Sequence, residues 1–173
     1  MSKAITILVT DDDPRMLVLT TEVLGEAGYE VLQASTGKEC LDALKAHHPD
    51  IVLLDVMLPD TTGIELCRQI KADERFQSIF VILWSGVQVS SEYQADALNA
   101  GADGYITKSV SNKELLARVQ SAVRIKRAVD ALREKEKEEQ KLILELQKAL
   151  AESKLQEGFV PMSALSTMIK KAT

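Results

Sequence analysis

The segment most informative about the fold is Asp50-Ile51-Val52-Leu53-Leu54-Asp55-Val56-Met57-Leu58-Pro59-Asp60. Its four consecutive apolar residues, 51–54, lie between turn-forming ends, and such a run is typical of a central parallel strand that is buried on both faces. The strand ends in the carboxylate of Asp55. Because the ligand crevice of an open α/β sheet lies beyond the carboxyl ends of its strands, we expect Asp55 to lie at the functional site.

Strand and helix patterns alternate on both sides of this stretch. Apolar runs at 4–10, 30–34, 79–84 and 104–107 predict four more strands, and helical spacing follows every strand. Short loops between such units imply right-handed crossovers and a parallel sheet covered by helices on both faces. The sequence therefore predicts an α/β fold with a doubly wound, flavodoxin-like sheet of five strands in the order 2-1-3-4-5.

Polar side chains stand at the ends of four predicted strands. Asp11 and Asp12 follow strand 1, Asp55 ends strand 3, Ser85 follows strand 4 and Lys108 follows strand 5. Three converging carboxylates repel one another unless a hard divalent cation such as Mg²⁺ lies among them. A nucleophilic carboxylate, a cation, an ammonium and a hydroxyl are the groups that phosphoryl transfer to an aspartate requires.

With these motifs, residues 3–125 resemble the response-regulator receiver domain of bacterial two-component signalling. The resemblance is carried by Ile7-Leu8-Val9-Thr10-Asp11-Asp12-Asp13-Pro14, by 50–60, by Ser85-Gly86 and by Gly101-Ala102-Asp103-Gly104-Tyr105-Ile106-Thr107-Lys108. It implies a phosphorelay protein, not an enzyme, that accepts a phosphoryl group from a sensor histidine kinase or a phosphotransfer protein.

The resemblance also implies a role for each matched residue. Asp55 would be the phosphoacceptor, assisted by Lys108. Asp12, Asp55 and the backbone carbonyl of Met57 would bind Mg²⁺, or Mn²⁺ in its place, and Asp11 would act through a water molecule.

Ser85 and Tyr105 match the switch pair of the family, in which the hydroxyl moves toward the phosphoryl group and the ring turns inward. One departure is visible, since Ser109 follows Lys108 where the family usually has proline, often joined through a cis peptide. A cis bond to a residue other than proline costs about 3–4 kcal/mol, so a trans peptide is open to this chain.

Charge and composition exclude several other classes of protein. Residues 1–125 contain 11 Lys+Arg and 18 Asp+Glu, a net charge of −7, and this balance argues against direct binding to nucleic acid. Neither a secretion signal nor an apolar run of membrane-spanning length is present. Cys40 and Cys67 fall inside predicted helices without metal-type spacing, so we expect reduced, buried thiols and a cytoplasmic protein.

The helical pattern that starts at Asn112 continues to about Glu157. We therefore expect a receiver domain at 1–125, a coiled-coil extension of helix 5 at 126–157 and a short tail at 158–173, with no room for an output domain. A heptad repeat predicts a parallel homodimer through helix 5 and the coil, although its middle is acidic; the alternative is a single charged helix. Its a positions are 122, 129, 136, 143 and 150, and its d positions are 125, 132, 139, 146 and 153.

The tail carries an apolar pattern that allows a small amphipathic helix beginning at Ser163. The members of this pattern are Ala164, Leu165, Met168, Ile169 and Ala172.

Two functions from other classes remain as alternatives. An aspartyl-phosphate phosphatase uses similar groups, but its nucleophile lies in an Asp-x-Asp-x-Thr type motif after strand 1, where this chain has Pro14 and Arg15 after Asp13. The other alternative is a dimerising scaffold or adaptor whose phosphorylation site is little used.

Overall fold

The computed structural model describes the backbone of residues 4–86 and 91–158, and the side chains of 4–86 and 95–153. Five strands alternate with five helices in this part of the chain. In order they are β1 (Thr6–Thr10), α1 (Pro14–Glu26), β2 (Glu30–Ala34), α2 (Gly37–His47), β3 (Ile51–Asp55), α3 (Gly63–Ala72), β4 (Phe80–Ser85), α4 (Ser91–Asn99), β5 (Gly104–Thr107) and α5 (Asn112–Gly158).

The strands form one parallel sheet in the order β2-β1-β3-β4-β5, which confirms the predicted fold class. Its register aligns the strand ends, because Thr10 pairs with Leu54 and Ser85 pairs with Thr107. The side chains that follow β1, β3, β4 and β5 are therefore brought to the same edge of the sheet.

Each face of the sheet is covered by its own apolar core, and the central strand β3 contributes to both. Val52 and Leu54 pack with α2, α3 and α4, whereas Ile51 and Leu53 pack with α1 and α5. This alternation explains the unbroken apolar run, since side chains of successive strand residues point to opposite faces and both faces are dry.

Three helices begin at a hydroxyl residue that is followed three positions later by glutamate. The side chains of Thr36, Thr62 and Ser111 accept hydrogen bonds from the third amide beyond them, at 3.1–3.2 Å. These caps satisfy amides that have no partner within the helix, so they fix the starts of α2, α3 and α5 locally.

By backbone contacts the chain divides into two units, residues 1–128 and 129–173. Helix α5 extends to Gly158, as the helical pattern predicted. The predicted tail helix lies outside the described residues. The Lys108–Ser109 peptide is trans, since the described backbone contains no cis bond. No helix in the described part of the chain has the length and apolar character needed to cross a membrane.

Candidate functional site

Three carboxylates meet at the carboxyl edge of the sheet. Oxygens of Asp11, Asp12 and Asp55 all lie within 4.8 Å of one another. Asp11 and Asp55 are buried, whereas Asp12 is exposed. They converge because β1 and β3 are neighbours in the sheet, so the predicted acidic cluster exists in the folded chain.

Lys108 joins two of these carboxylates. Its Nζ lies 2.6 Å from Oδ2 of Asp11 and 2.8 Å from Oδ2 of Asp55. Its backbone amide donates to the carbonyl of Ser85 at 2.6 Å, and a Cβ on Gly86 would stand 3.7 Å from its Cδ. The lysine stem therefore crosses the end of β4 and holds the ammonium between β1 and β3.

Burial and pairing act against each other on the pKa values at this site. Burial raises the pKa of Asp55, and this effect outweighs the hydrogen bonds from Lys108 and the Met57 amide, which lower it. Burial would lower the pKa of Lys108, but its hydrogen bonds to Asp11 and Asp55 outweigh this effect and raise it. Two buried carboxylates thus share one ammonium.

The cluster also has the chemistry of a cation site. Three carboxylates and one ammonium leave a net charge of −2, which a divalent cation would neutralise. Mg²⁺ is bound by a small number of carboxylates and keeps several water molecules, so it fits a partly exposed acidic pocket. The predicted ligand roles, with Asp12, Asp55 and the Met57 carbonyl bound directly and Asp11 through water, stay predictions.

The loop after β3 is pressed against the strand that carries Asp55. The amide of Gly63 donates to the carbonyl of Val56 at 2.8 Å, and the amide of Met57 donates to Oδ1 of Asp55 at 3.2 Å. A Cβ at position 63 would stand 2.1 Å from the Asp55 carbonyl oxygen. Glycine is needed there because the loop passes too close for any side chain.

The two residues of the predicted switch pair lie on adjacent strands. Ser85 is buried at the end of β4, and Tyr105 is half-buried in β5, where it packs against the core beneath α2, α3 and α4. The Tyr105 hydroxyl is buried without a hydrogen-bond partner among the described residues. Their role as a switch stays a prediction.

One residue near the site has a role that the sequence did not reveal. Asp60, in the loop after β3, accepts hydrogen bonds from the amides of Gly37 at 2.8 Å and Lys38 at 2.9 Å. These two amides lower its pKa. The loop after β3 is thereby fastened to the start of α2, and no local pattern could have indicated contacts across 22 and 23 residues.

The comparison with protein families shows which family this chain belongs to. The response regulator receiver domain matches residues 7–120, which is most of the first compact unit. The chain belongs to the response regulator receiver domain family. The receiver region includes every residue of the acidic cluster as well as Lys108, and receiver domains bind Mg²⁺ at such an acidic pocket.

Similar proteins and structures agree with this assignment. The phosphate regulon transcriptional regulatory protein PhoB of Pseudomonas aeruginosa is 38% identical over 119 residues, which are 69% of this chain and 52% of that protein. The transcriptional regulatory protein KdpE of Mycobacterium tuberculosis is 41% identical over 118 residues, 68% of this chain and 50% of that protein. A CheY-like receiver domain from Methanospirillum hungatei has a TM-score of 0.68 at 32% identity and covers 73% of this chain and 98% of its own.

The receiver region is the part that these relatives share. The chain spans about half the length of the curated relatives it matches. Its matched region ends at residue 120, and the described chain continues as helix α5.

Proposed function

We propose that this protein is a phosphorelay response regulator that accepts a phosphoryl group on Asp55 in a Mg²⁺-dependent reaction. The observation that carries the proposal is the position of Lys108 Nζ, within hydrogen-bond distance of both Asp11 and Asp55. An ammonium held there offsets charge on phosphoryl oxygens bound to Asp55. The protein would act as a regulator and not as an enzyme with a substrate of its own.

The reaction would use the chain's own groups as follows. An ionised oxygen of Asp55 attacks the phosphorus of a phosphohistidine, so a P–O bond forms while the P–N bond breaks and the imidazole leaves. By pairing with Asp55, Lys108 favours the ionised form of that carboxyl against the opposing effect of burial, and Asp11 and Asp12 form the negative pocket in which a divalent cation would be held. When bound, that cation neutralises charge on the phosphoryl oxygens.

Ser85 and Tyr105 would report the new group to the surface. The Ser85 hydroxyl lies at the end of β4 beside the strand of Asp55, and it would donate to a phosphoryl oxygen. Tyr105 lies on β5, the neighbour of β4, so a shift of Ser85 would alter the packing around its ring.

An apolar surface on α1 offers a docking place for a phosphodonor protein. Val18 and Leu19 are exposed and line a shallow groove with Pro14, Arg15 and Glu22. Helix α1 follows directly after the loop that carries Asp12, so a partner bound there would be close to the acidic pocket. A sensor histidine kinase or a phosphotransfer protein is the class of partner we propose.

Output would pass through α5. Several apolar residues at the predicted seam positions are exposed in the single chain, among them Val129, Leu132, Ile143, Leu146 and Leu150. We propose that they pair two chains in a parallel coiled coil, and that the protein acts without direct contact to nucleic acid or membrane.

Labelling with acetyl phosphate and Mg²⁺, read by intact-protein mass spectrometry, tests the proposal. The wild-type protein and Asp13→Asn should gain one phosphoryl group, whereas Asp55→Asn should gain none. Asp13 is a suitable control because it caps α1 beside the site. Phosphorylation that persists in Asp55→Asn would contradict the proposal.

Trp84 gives a separate readout of cation binding. It is buried and pairs in register with Asp55, so Mg²⁺ should change its fluorescence in the wild type and far less in Asp12→Asn. A response to Mg²⁺ without any phosphorylation would favour the adaptor alternative.

A further inference from the structure

Asp60 lies at the tip of a small hairpin, residues 56–62, that connects β3 to α3. The chain turns back on itself there, because the amide of Leu58 donates to the carbonyl of Thr61 at 3.2 Å. Met57 forms an antiparallel bridge across the hairpin, one step closer to the sheet. The hairpin therefore contains the backbone of Met57, whose carbonyl is a predicted ligand of the cation.

The tip of this hairpin is attached to α2 through both oxygens of one carboxylate. Oδ1 of Asp60 accepts from the amide of Gly37 at 2.8 Å, and Oδ2 accepts from the amide of Lys38 at 2.9 Å. The next amide of the helix, that of Glu39, donates to the hydroxyl of Thr36 at 3.1 Å. The first three amides of α2 therefore all have acceptors, and the hairpin supplies two of the three.

Gly37 shows how closely the helix and the hairpin approach each other. It is buried, and a Cβ at this position would overlap the Cγ2 methyl of Thr61 and stand 3.3 Å from Oδ1 of Asp60. Both hydrogen bonds to Asp60 therefore depend on the absence of a side chain at position 37. A methyl group there would push the hairpin tip away from α2 without changing any charge.

The other end of the hairpin lies at the acidic pocket. The amide of Met57 donates to Oδ1 of Asp55 at 3.2 Å, and the amide of Gly63 closes the base of the hairpin on the carbonyl of Val56 at 2.8 Å. Because the hairpin is short, a displaced tip shifts the backbone that follows Asp55. Residues that do not touch a metal ion but hold its ligands in place commonly change the metal affinity by about tenfold or more.

We propose that Asp60 is a positioning residue for the cation site at Asp55. By fastening the hairpin to α2, it holds the backbone after Asp55 in the arrangement that binds the cation. This inference rests on the proposed function, since it assumes that a divalent cation binds at the acidic pocket. Coupling between two sites is reciprocal, so an attachment that favours the bound cation is itself strengthened by the cation, and by the same factor.

Hydrogen exchange of the wild-type protein, followed by NMR with and without saturating Mg²⁺, gives the first test. The amides of Gly37 and Lys38 should exchange roughly tenfold more slowly when Mg²⁺ is bound. The amide of Arg75 donates to Asp73 beyond the far end of α3, at 3.0 Å, and should exchange at the same rate in both conditions. Unchanged exchange of the Gly37 and Lys38 amides would overturn the inference.

Binding of Mn²⁺, measured from the electron paramagnetic resonance signal of the free ion, gives the second test. Asp60→Ala and Gly37→Ala should each raise the dissociation constant roughly tenfold, and the second of these leaves every charge in place. Adding Thr61→Ser to Gly37→Ala removes the methyl group that obstructs the new Cβ, so this double variant should recover most of the wild-type affinity.

Three results would overturn the inference. They are a wild-type dissociation constant in Asp60→Ala, a wild-type dissociation constant in Gly37→Ala, and failure of Thr61→Ser to restore the affinity that Gly37→Ala loses. Each of them leaves the proposed function standing. A wild-type protein that binds neither Mg²⁺ nor Mn²⁺ would contradict the proposed function and this inference together.

Discussion

Gly63 is held against the strand end that carries Asp55, and its substitution tests how tightly this loop is packed. A Cβ there would stand 2.1 Å from the Asp55 carbonyl oxygen and 2.9 Å from Cα of Val56, both of which are backbone atoms that cannot rotate away. We expect Gly63→Ala to lower the free energy of unfolding by about 1–3 kcal/mol, measured by urea denaturation.

Gly25→Ala is the matched control for this substitution. Gly25 lies near the end of α1, and a Cβ there would meet nothing within 4 Å. Alanine is favoured over glycine in a helix by about 0.5–1 kcal/mol, so this variant should be slightly more stable than the wild type. If Gly25→Ala lowered the free energy of unfolding as much as Gly63→Ala does, crowding beside Asp55 would not be the cause of the destabilisation.

The two cysteines make stability depend on pH above neutrality. Burial raises the pKa of Cys40 and that of Cys67 from 9.0 to about 11. Above pH 9 the unfolded chain releases these thiol protons while the folded chain keeps them, so the unfolded state is favoured. The urea midpoint should therefore fall as the pH rises from 9 toward 11.

A variant with Cys40→Ala and Cys67→Ala provides the comparison. It should be less stable than the wild type at pH 8, because two buried side chains are shortened, but its midpoint should depend less on pH between 9 and 11. All other ionisable side chains are the same in the two proteins, so their contributions cancel in the difference. Identical slopes would contradict burial as the source of the effect.

At the scale of elements, Asp103 connects α3, β4 and the start of β5. Its Oδ2 accepts from Nζ of Lys71 at 2.6 Å and from the amide of Val81 at 2.8 Å, and the same Nζ donates to the carbonyl of Ile79 at 2.8 Å. Asp103→Ala removes the acceptor of a partly buried amide and the partner of a partly buried ammonium. We expect it to lower the free energy of unfolding by about 1–3 kcal/mol in urea denaturation.

Asp42→Ala is the corresponding control on a helix surface. Asp42 pairs with Lys38 one turn away on α2, and both side chains are largely exposed. Such pairs contribute about 0.3–0.5 kcal/mol, so the variant should be nearly as stable as the wild type. If Asp103→Ala and Asp42→Ala lower the free energy of unfolding equally, the contact of Asp103 with Val81 does not stabilise the junction of α3, β4 and β5.

At the scale of the whole molecule, the association of two chains through α5 is open to a direct test. Ile143 occupies an a position of the seam and Leu144 the neighbouring b position, and their exposed fractions in the single chain are similar at 48% and 52%. We expect Ile143→Asp to weaken the dimer strongly, because a charge would be buried between the helices, whereas Leu144→Asp should leave it intact. Multi-angle light scattering measures the result.

Two outcomes would refute this assembly. A wild-type protein that is monomeric at the highest concentration measured would exclude the coil. A truncation after Arg124 that dimerises as well as the full chain would place the interface on the receiver domain. Labelling of Asp55 by acetyl phosphate should be the same in Ile143→Asp, Leu144→Asp and the truncation, since none of these changes alters the acidic pocket.

Local sequence patterns are enough to predict the order of elements, the type of sheet and the residues at its carboxyl edge. Unbroken apolar runs occur where both faces of a strand are buried, and apolar residues at helical spacing occur where one face of a helix is buried. These local patterns suffice to place Asp11, Asp55 and Lys108 at strand ends. The caps at Thr62 and Ser111 depend on contacts that are equally local, since their partners lie three residues away.

Which of these groups are in contact depends on how the strands and helices pack. Lys108 and Asp55 are 53 residues apart, and their contact depends on the register of three strands. The hydrogen bond of Asp60 with the start of α2 and the close approach of Gly63 to the Asp55 carbonyl also depend on tertiary packing. The periodicity of apolar residues indicates which face of an element is buried. Hydrogen bonds between distant segments require atomic positions accurate to a fraction of an ångström, and such positions are fixed only when the elements pack.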